Sequence, residues 1–146
     1  MMRVDFAFGA HDRLSQAVRT TVKQVRRGTR LIVHCTSDDR LNKFDQMLWA
    51  IDGPEYIAHD HLAYGPVPGL MVYMSHSQTW ELALPYLEQG YWLLNLDDQC
   101  PPLPSPAQRI LEIVSIDEME KQLARERWKH YKATGYEIKA YELGQK

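Results

Sequence analysis

The chain has 146 residues, of which 45% are hydrophobic and 25% charged, and these values are typical of a globular protein with one sizeable core. A formal net charge of −2 argues against the strongly basic surface that bulk, non-specific nucleic-acid binding requires. Arg3 and Asp5 interrupt the N-terminal apolar run, and no segment approaches the roughly 18 apolar residues of a membrane span. We therefore expect a cytoplasmic protein without a signal peptide.

The first third of the chain alternates between strand and helix patterns. Residues 4–8 predict a first strand, and residues 11–27 carry apolar side chains at helical spacing and end at Gly28. Residues 30–35 form the continuous apolar run of a strand that is covered on both faces. A strand, a helix and a strand within about 33 residues predict a βαβ unit and hence a parallel sheet.

The next segments are a helix and a less regular middle. Ser37 or Asp38 begins a second helix, which we expect to end near Ala50 with Leu41, Phe44 and Leu48 facing inward. Residues 51–69 are rich in glycine and proline, and they predict a loop with a short strand near residues 56–59. Residues 70–75 predict a strand and residues 77–84 a short helix that is broken at Pro85.

The last third continues the α/β pattern. Residues 90–96 and 109–115 predict two buried strands, and the proline-rich residues 100–106 between them cannot join a central strand. The sequence therefore predicts one α/β domain, residues 1–146, with a mostly parallel central sheet flanked by helices. This resembles a Rossmann-like arrangement, but neither GxGxxG nor GxxxxGKS/T follows the first strand, so we expect no nucleotide site.

Residues 116–135 predict a helix that is N-capped by Asp117 and terminated by Gly135. At about 100° per residue its side chains divide into two faces. We expect one face to point to the core, and it contains Ile116, Met119, Leu123, Ala124 and Tyr131. The opposite face contains Lys121, Arg125, Trp128, Lys129 and Lys132. Four cations around a Trp indicate either a receptor for a short, anionic and partly hydrophobic ligand or a basic surface helix whose Trp turns inward.

Other candidate sites give weaker signals. His59, Asp60 and His61 could offer metal ligands, but an exposed loop is the preferred interpretation, and no metal or other cofactor is expected. Asp97 and Asp98 could form an acid/base pair or simply cap a loop, and the loop is preferred.

No serine or cysteine lies in a nucleophile motif, so no catalytic residue is assigned. Cys35 and Cys100 lack metal-ligand spacing, and Cys35 is predicted to be a core residue. Trp49 and Tyr56 predict either a satellite core or a partner-facing patch.

The sequence KQLARERWKHYKATGYE, residues 121–137, resembles the C-terminal helix of the chi subunit family of bacterial DNA polymerase III. The segments RRGTRLIVHC and LNKFDQMLWA match the same family at matching spacing, and the resemblance extends along nearly the full length. The resemblance implies a non-catalytic accessory of the clamp loader, with a nucleotide-free α/β fold and a role in DNA replication. It implies two partners, namely the psi subunit and the acidic, Phe-terminated tail of the single-stranded-DNA-binding protein.

The resemblance also implies where these partners bind. The tail site corresponds to Val114, Lys121, Arg125, Trp128 and Lys129, with Trp128 standing where family members often have Tyr. The psi-facing patch corresponds to Trp49 and Tyr56, the latter in place of a Phe.

Two other functions are consistent with the residues when the resemblance is set aside. One is direct binding of single-stranded nucleic acid through the Trp128 face, since cations and an aromatic ring also describe a stacking platform. The other is a small α/β enzyme that uses His59, His61 or Asp97.

Overall fold

The computed structural model describes residues 2–51 and 57–143, and within them the chain forms an α/β fold. The strands are β1 (Arg3–Ala10), β2 (Leu31–His34), β3 (His59–His61), β4 (Val72–Ser75), β5 (Trp92–Asn95), β6 (Arg109–Ser115) and β7 (Glu137–Glu142). The helices are α1 (Arg13–Arg26), α2 (Asp38–Trp49), α3 (Trp80–Glu88) and α4 (Glu118–Thr134). The strands form one sheet in the order β3-β4-β2-β5-β6-β1-β7, and every described pairing is parallel. The α/β class and the parallel sheet expected from the sequence are confirmed.

The sheet separates two hydrophobic cores, one on each face. On one face α1 and α2 cover the sheet, and their buried residues include Ala17, Val18 and Phe44. On the other face α3 and α4 cover it through residues such as Leu87 and Tyr131. Helices on both faces explain why β2, LIVH, is buried along its entire length.

The ends of α2 and α4 lie where the sequence predicts them, and the helix predicted over residues 11–27 spans Arg13–Arg26. The side chain of Asp12 accepts a hydrogen bond from the Ser15 amide, and Ser37 caps α2 in the same way through the Arg40 amide. Asp117 caps α4, and Gly135 ends it in a left-handed conformation with φ of 99°. The inward-facing residues of α2, Leu41, Phe44 and Leu48, are buried as expected.

Two predictions for the middle of the chain are wrong. Pro85 lies at an exposed position inside α3 and does not break the helix, which continues to Glu88. His59 does not lie in an exposed loop, because the edge strand β3 buries it against α2. The sequence analysis also missed β7, whose charged residues at an exposed edge hide the strand pattern. Tyr56 lies outside the described residues.

A buried carboxylate joins the sheet to the helices on both faces. Glu112, in β6, is fully buried and accepts hydrogen bonds from Arg127 Nε at 2.9 Å, Tyr131 Oη at 2.6 Å and Asn95 Nδ2 at 2.7 Å. Arg13 Nη2 of α1 lies 3.6 Å from the same carboxylate. A buried carboxylate is tolerated only when its lone pairs are satisfied in this way, so these contacts form one interdependent unit.

We predict that Arg127→Met lowers the free energy of unfolding by about 3 kcal/mol, because it removes the main cation from a carboxylate without access to water. Urea denaturation measures this loss. The matched control is Arg125→Met, two residues along α4, where the side chain is exposed and donates to Gln122. The control should change stability by less than about 0.5 kcal/mol. Equal losses in the two variants would show that the Arg127–Glu112 contact is not a source of stability.

Candidate functional site

A groove lies between α4 and the β1–β7 edge of the sheet. It encloses about 500 Å³, and its apolar surface comes from Phe6, Phe8, Val114, Ala124, Trp128 and Ala140. The Trp128 ring packs on Phe6 with a centroid distance of 5.0 Å, so the indole is held as a partly buried wall. Lys121, Arg125 and Lys129 complete the lining. All five residues of the expected tail site, Val114, Lys121, Arg125, Trp128 and Lys129, therefore line one groove.

The cations at the groove are held only by weak surface contacts. Lys121 Nζ lies 2.7 Å from the exposed Glu118 carboxylate, and this hydrogen bond lowers the pKa of Glu118. Lys129 Nζ lies 3.4 Å from Glu126, also at the surface. Exposed pairs of this kind contribute little to stability, so an incoming anion can take over either cation at low cost.

The orientation of α4 differs from the predicted one. Ile116 and Met119 were assigned to the core, but they are 55% and 68% exposed. The buried residues of α4 are Ala124, Arg127 and Tyr131, because Arg127 turns inward to reach Glu112. This rotation places Trp128 at the border of the buried stripe instead of opposite to it. Leu123 is half-buried, and Lys132 is exposed and does not line the groove.

The aromatic residues of the groove do not favour single-stranded nucleic acid as a ligand at Trp128. One face of the Trp128 ring is occupied by Phe6, and Phe8 is the other aromatic residue of the groove lining. Stacking platforms for single-stranded nucleic acid present successive exposed rings. A narrow apolar notch with cations along one rim fits a short peptide end better than a row of bases.

The second expected site, at Trp49, lies at the far edge of the sheet. Trp49 ends α2, is 51% exposed and packs on the His59 ring with a centroid distance of 4.6 Å. His59 Nε2 lies 2.7 Å from Asp45 Oδ1, and Nδ1 lies 2.8 Å from the carbonyl oxygen of Ile57. Both ring nitrogens of His59 thus face acceptors, which fixes the ring below the indole.

The Trp49 surface and the groove are well separated. Trp49 packs on β3, which is the first strand of the sheet, whereas the groove adjoins β1 and β7, the last two. At about 4.8 Å between neighbouring strands, β3 and β1 are roughly 24 Å apart. The two surfaces also lie on opposite faces, since α2 and α4 cover different sides of the sheet.

Another cavity, of about 640 Å³, lies at the carboxyl ends of β2 and β5. Burial lowers the pKa of His34 there, and the nearby Asp97 carboxylate opposes this shift. Asp97 Oδ1 accepts hydrogen bonds from the Thr36 amide at 2.6 Å and the Thr36 hydroxyl at 3.0 Å, while Asp98 pairs with Arg40 at 3.1 Å. These carboxylates hold loops together, which is the preferred interpretation of the sequence.

Residues 2–51 and 57–143 hold no cluster of metal-ligating side chains. No group of three or more His, Cys, Asp or Glu residues that could hold a metal ion occurs in this part of the chain. None of its helices is long and apolar enough to cross a bilayer.

The chain is similar in sequence over most of its length to one protein family. Residues 1–139 match the family model described as DNA polymerase III chi subunit, HolC. The DNA polymerase III subunit chi of Pseudomonas aeruginosa is 26% identical over 150 residues, which cover 98% of each chain. The corresponding subunit of Escherichia coli K12 is 25% identical over 116 residues, covering 77% of this chain and 74% of the relative. That of Haemophilus influenzae is 23% identical over 122 residues, covering 82% and 79%.

We predict that His59→Leu lowers the free energy of unfolding by about 2 kcal/mol, because it removes the ring N–H donor that His59 offers to the Ile57 carbonyl or the Asp45 carboxylate. Urea denaturation provides the measurement. His61→Leu, two residues along the same strand, is the matched control, since the His61 ring is less buried and contacts Tyr64 edge-on. If His61→Leu cost as much, hydrogen bonding by His59 would not be what stabilises this edge.

We also predict that both thiols react slowly in the native protein at about pH 8. Burial raises the pKa of Cys35 to about 11 and that of Cys100 to about 12. The reactive thiolate is therefore scarce at either residue. Labelling with a chromogenic disulfide should release two equivalents rapidly only after denaturant is added. Rapid release from the native protein would contradict this prediction.

Proposed function

The chain belongs to the DNA polymerase III chi subunit family, and we propose that within this replication assembly it is a non-catalytic bridge between two proteins. One partner is the psi subunit, which ties the chain to the clamp loader. The other is the acidic C-terminal tail of the single-stranded-DNA-binding protein. Neither role requires a cofactor.

One observation carries the proposal for the tail, namely the groove that combines an apolar notch with a cationic rim. A tail of several Asp residues that ends in Phe carries negative side chains, an aromatic ring and a terminal carboxylate. Val114, Phe6 and Trp128 offer apolar contacts to the ring. Lys121, Arg125 and Lys129 offer charge-assisted hydrogen bonds to the carboxylates.

The size of the groove limits the strength of this interaction. A volume of about 500 Å³ is typical of a small-ligand site, so it suits the last one or two residues of a tail and not a folded domain. Such a small interface supports an affinity on the order of micromolar, and exposed cations make it sensitive to salt. DNA that is coated with the partner presents many tails, which raises their effective concentration.

The Trp49 surface supports a separate psi site. An exposed Trp that is held rigidly by a buried neighbour is a typical interface anchor. Its distance from the groove allows both partners to bind at once, which a bridge requires. Tyr56 is proposed as part of the same surface on the resemblance alone.

Calorimetric titration with a synthetic peptide of several Asp residues ending in Pro-Phe tests the tail site. We expect saturable binding with a Kd on the order of micromolar that weakens about tenfold or more when salt rises from about 0.05 to 0.2 M. Lys129→Glu should abolish it, because the variant places a carboxylate on the rim. Lys132→Glu makes the same charge change one turn away, outside the groove, and should retain most of the affinity.

The psi arm of the proposal needs its own variant. Trp49→Ala should weaken binding to purified psi and leave the tail titration unchanged, while Lys129→Glu should do the reverse. Both variants are checked for folding by circular dichroism. Loss of both activities in either folded variant would contradict two separable sites, and absence of tail binding at any salt would refute the groove as a receptor.

A further inference from the structure

A second depression lies on the face of the sheet opposite the groove, between α1 and the β7 edge. It encloses about 590 Å³. The side chains of Ala7, Leu111 and Ile113 lie at its floor, α1 forms one wall and Tyr141 lies on the other rim. We call this depression the α1 cleft. It shares no lining residue with the groove, because alternate residues of β1 point to opposite faces.

The α1 cleft is positively charged. Its described lining contains the cations Arg3, Arg19, Lys23, Arg27 and Arg109 and the carboxylates Asp5, Glu112 and Glu142. The negative charge of Glu112 is already neutralised by its buried contact with Arg127. The Asp5 carboxylate pairs with two of the cations, since it lies 2.8 Å from Arg3 Nε and 3.7 Å from Arg109 Nε. No carboxylate among the described residues forms a direct ion pair with Arg19, Lys23 or Arg27, and Asp12 acts on Arg19 only through a longer-range attraction. The sequence explains this excess, since residues 13–37 contain six Lys or Arg and no Asp or Glu.

Two exposed cations of α1 and the exposed cation at its C-cap form a regular row. Arg19, Lys23 and Arg27 are spaced four residues apart and all line the cleft. Four helical residues advance about 6 Å, so the row presents a positive charge every 6 Å along the cleft. A single small anion would contact one of these cations, whereas a linear polyanion can contact all three at once. The spacing therefore favours an extended chain of charges.

Aromatic side chains accompany the charges. The Arg109 guanidinium lies over the Trp92 ring, 4.3 Å from its centroid, and both residues line the cleft. Tyr141, on the opposite rim, is 47% exposed. Aromatic rings and Arg planes are the surfaces on which unpaired bases stack. Bases inside a duplex are already stacked and could not use them.

We propose that the α1 cleft binds single-stranded nucleic acid, with phosphates along Arg19, Lys23 and Arg27 and a base against Tyr141 or the Arg109–Trp92 pair. This site differs from the proposed tail groove in residues, in sheet face and in ligand. The chain would thus touch the coated strand itself as well as the protein that coats it. Because the overall charge is −2, the binding depends on this local surface and is lost readily in salt.

Fluorescence anisotropy with a labelled oligothymidylate of about 20 nucleotides tests the proposal on the full chain without any partner. We expect saturable binding at about 0.05 M salt, and three phosphate contacts give a slope of log K against log salt of about −2. The double variant Arg19→Glu/Lys23→Glu should weaken binding at least about tenfold at this salt. The matched control, Lys129→Glu/Lys132→Glu, makes the same change in charge on the other face and should stay within about twofold.

Two further variants measure how much the Tyr141 ring and the two α1 charges contribute to binding, and circular dichroism checks that each variant folds. Tyr141→Ala should weaken single-strand binding about tenfold and leave binding to a duplex of the same sequence unchanged. The neutral pair Arg19→Gln/Lys23→Gln should give a smaller loss than the charge reversal. Circular dichroism confirms that each variant folds, which the exposure of these side chains favours.

Four outcomes would overturn the proposal. They are no oligonucleotide binding by the folded protein at low salt, equal losses in both charge-reversal variants, loss only in the α4 variant, and duplex binding as tight as single-strand binding. Equal losses would indicate bulk charge alone, and loss only in the α4 variant would assign the nucleic acid to the groove. The tail-peptide titration does not depend on any of these four results. If the α1 cleft does not bind nucleic acid, the proposed tail site is therefore unaffected.

Discussion

The buried carboxylate of Glu112 holds α4 on one face of the sheet and also contacts α1 on the other face. It is fully buried in a central strand, and the several kcal/mol needed to remove it from water are offset only while Arg127, Tyr131 and Asn95 donate to it. Burial raises the pKa of Tyr131 well above its ordinary value, and the adjacent carboxylate adds to this shift. Tyr131 therefore remains a donor over the whole physiological range.

The same contacts set the rotation of α4. Arg127 and Tyr131 are spaced one turn apart on the helix, and both reach one carboxylate, so α4 cannot roll without breaking a buried hydrogen bond. At this rotation Trp128 lies at the border of the buried stripe, where its ring closes one side of the groove against Phe6. The proposed tail receptor thus depends on a residue that it does not contain.

This dependence marks the limit of what the sequence could predict. Apolar periodicity and capping residues are enough to predict the α/β class and the ends of α4, because both signals depend on residues that are close together in the sequence. On a helical wheel, Ile116 and Met119 are assigned to the core by their hydrophobicity. The wheel cannot show that Arg127 turns inward instead, because its partner Glu112 is 15 residues away in the sequence. The charge and spacing of Lys121, Arg125 and Lys129 brought them correctly to one surface, whereas the position of Phe6 beneath Trp128 required the fold. His59 was misjudged for the same reason, because its partner Asp45 lies on a different element.

The parallel sheet also explains how one small chain can present several independent surfaces. Neighbouring residues of β1 face opposite sides, so Phe6 and Phe8 contribute to the groove while Ala7 lies under the α1 cleft. The charges are distributed in the same segregated manner. Residues 13–37 hold six of the 17 cations and none of the 19 carboxylates, so the remaining chain is distinctly acidic. An acidic body limits non-specific binding of nucleic acid, and local rows of cations retain a salt-dependent attraction where the chain needs it.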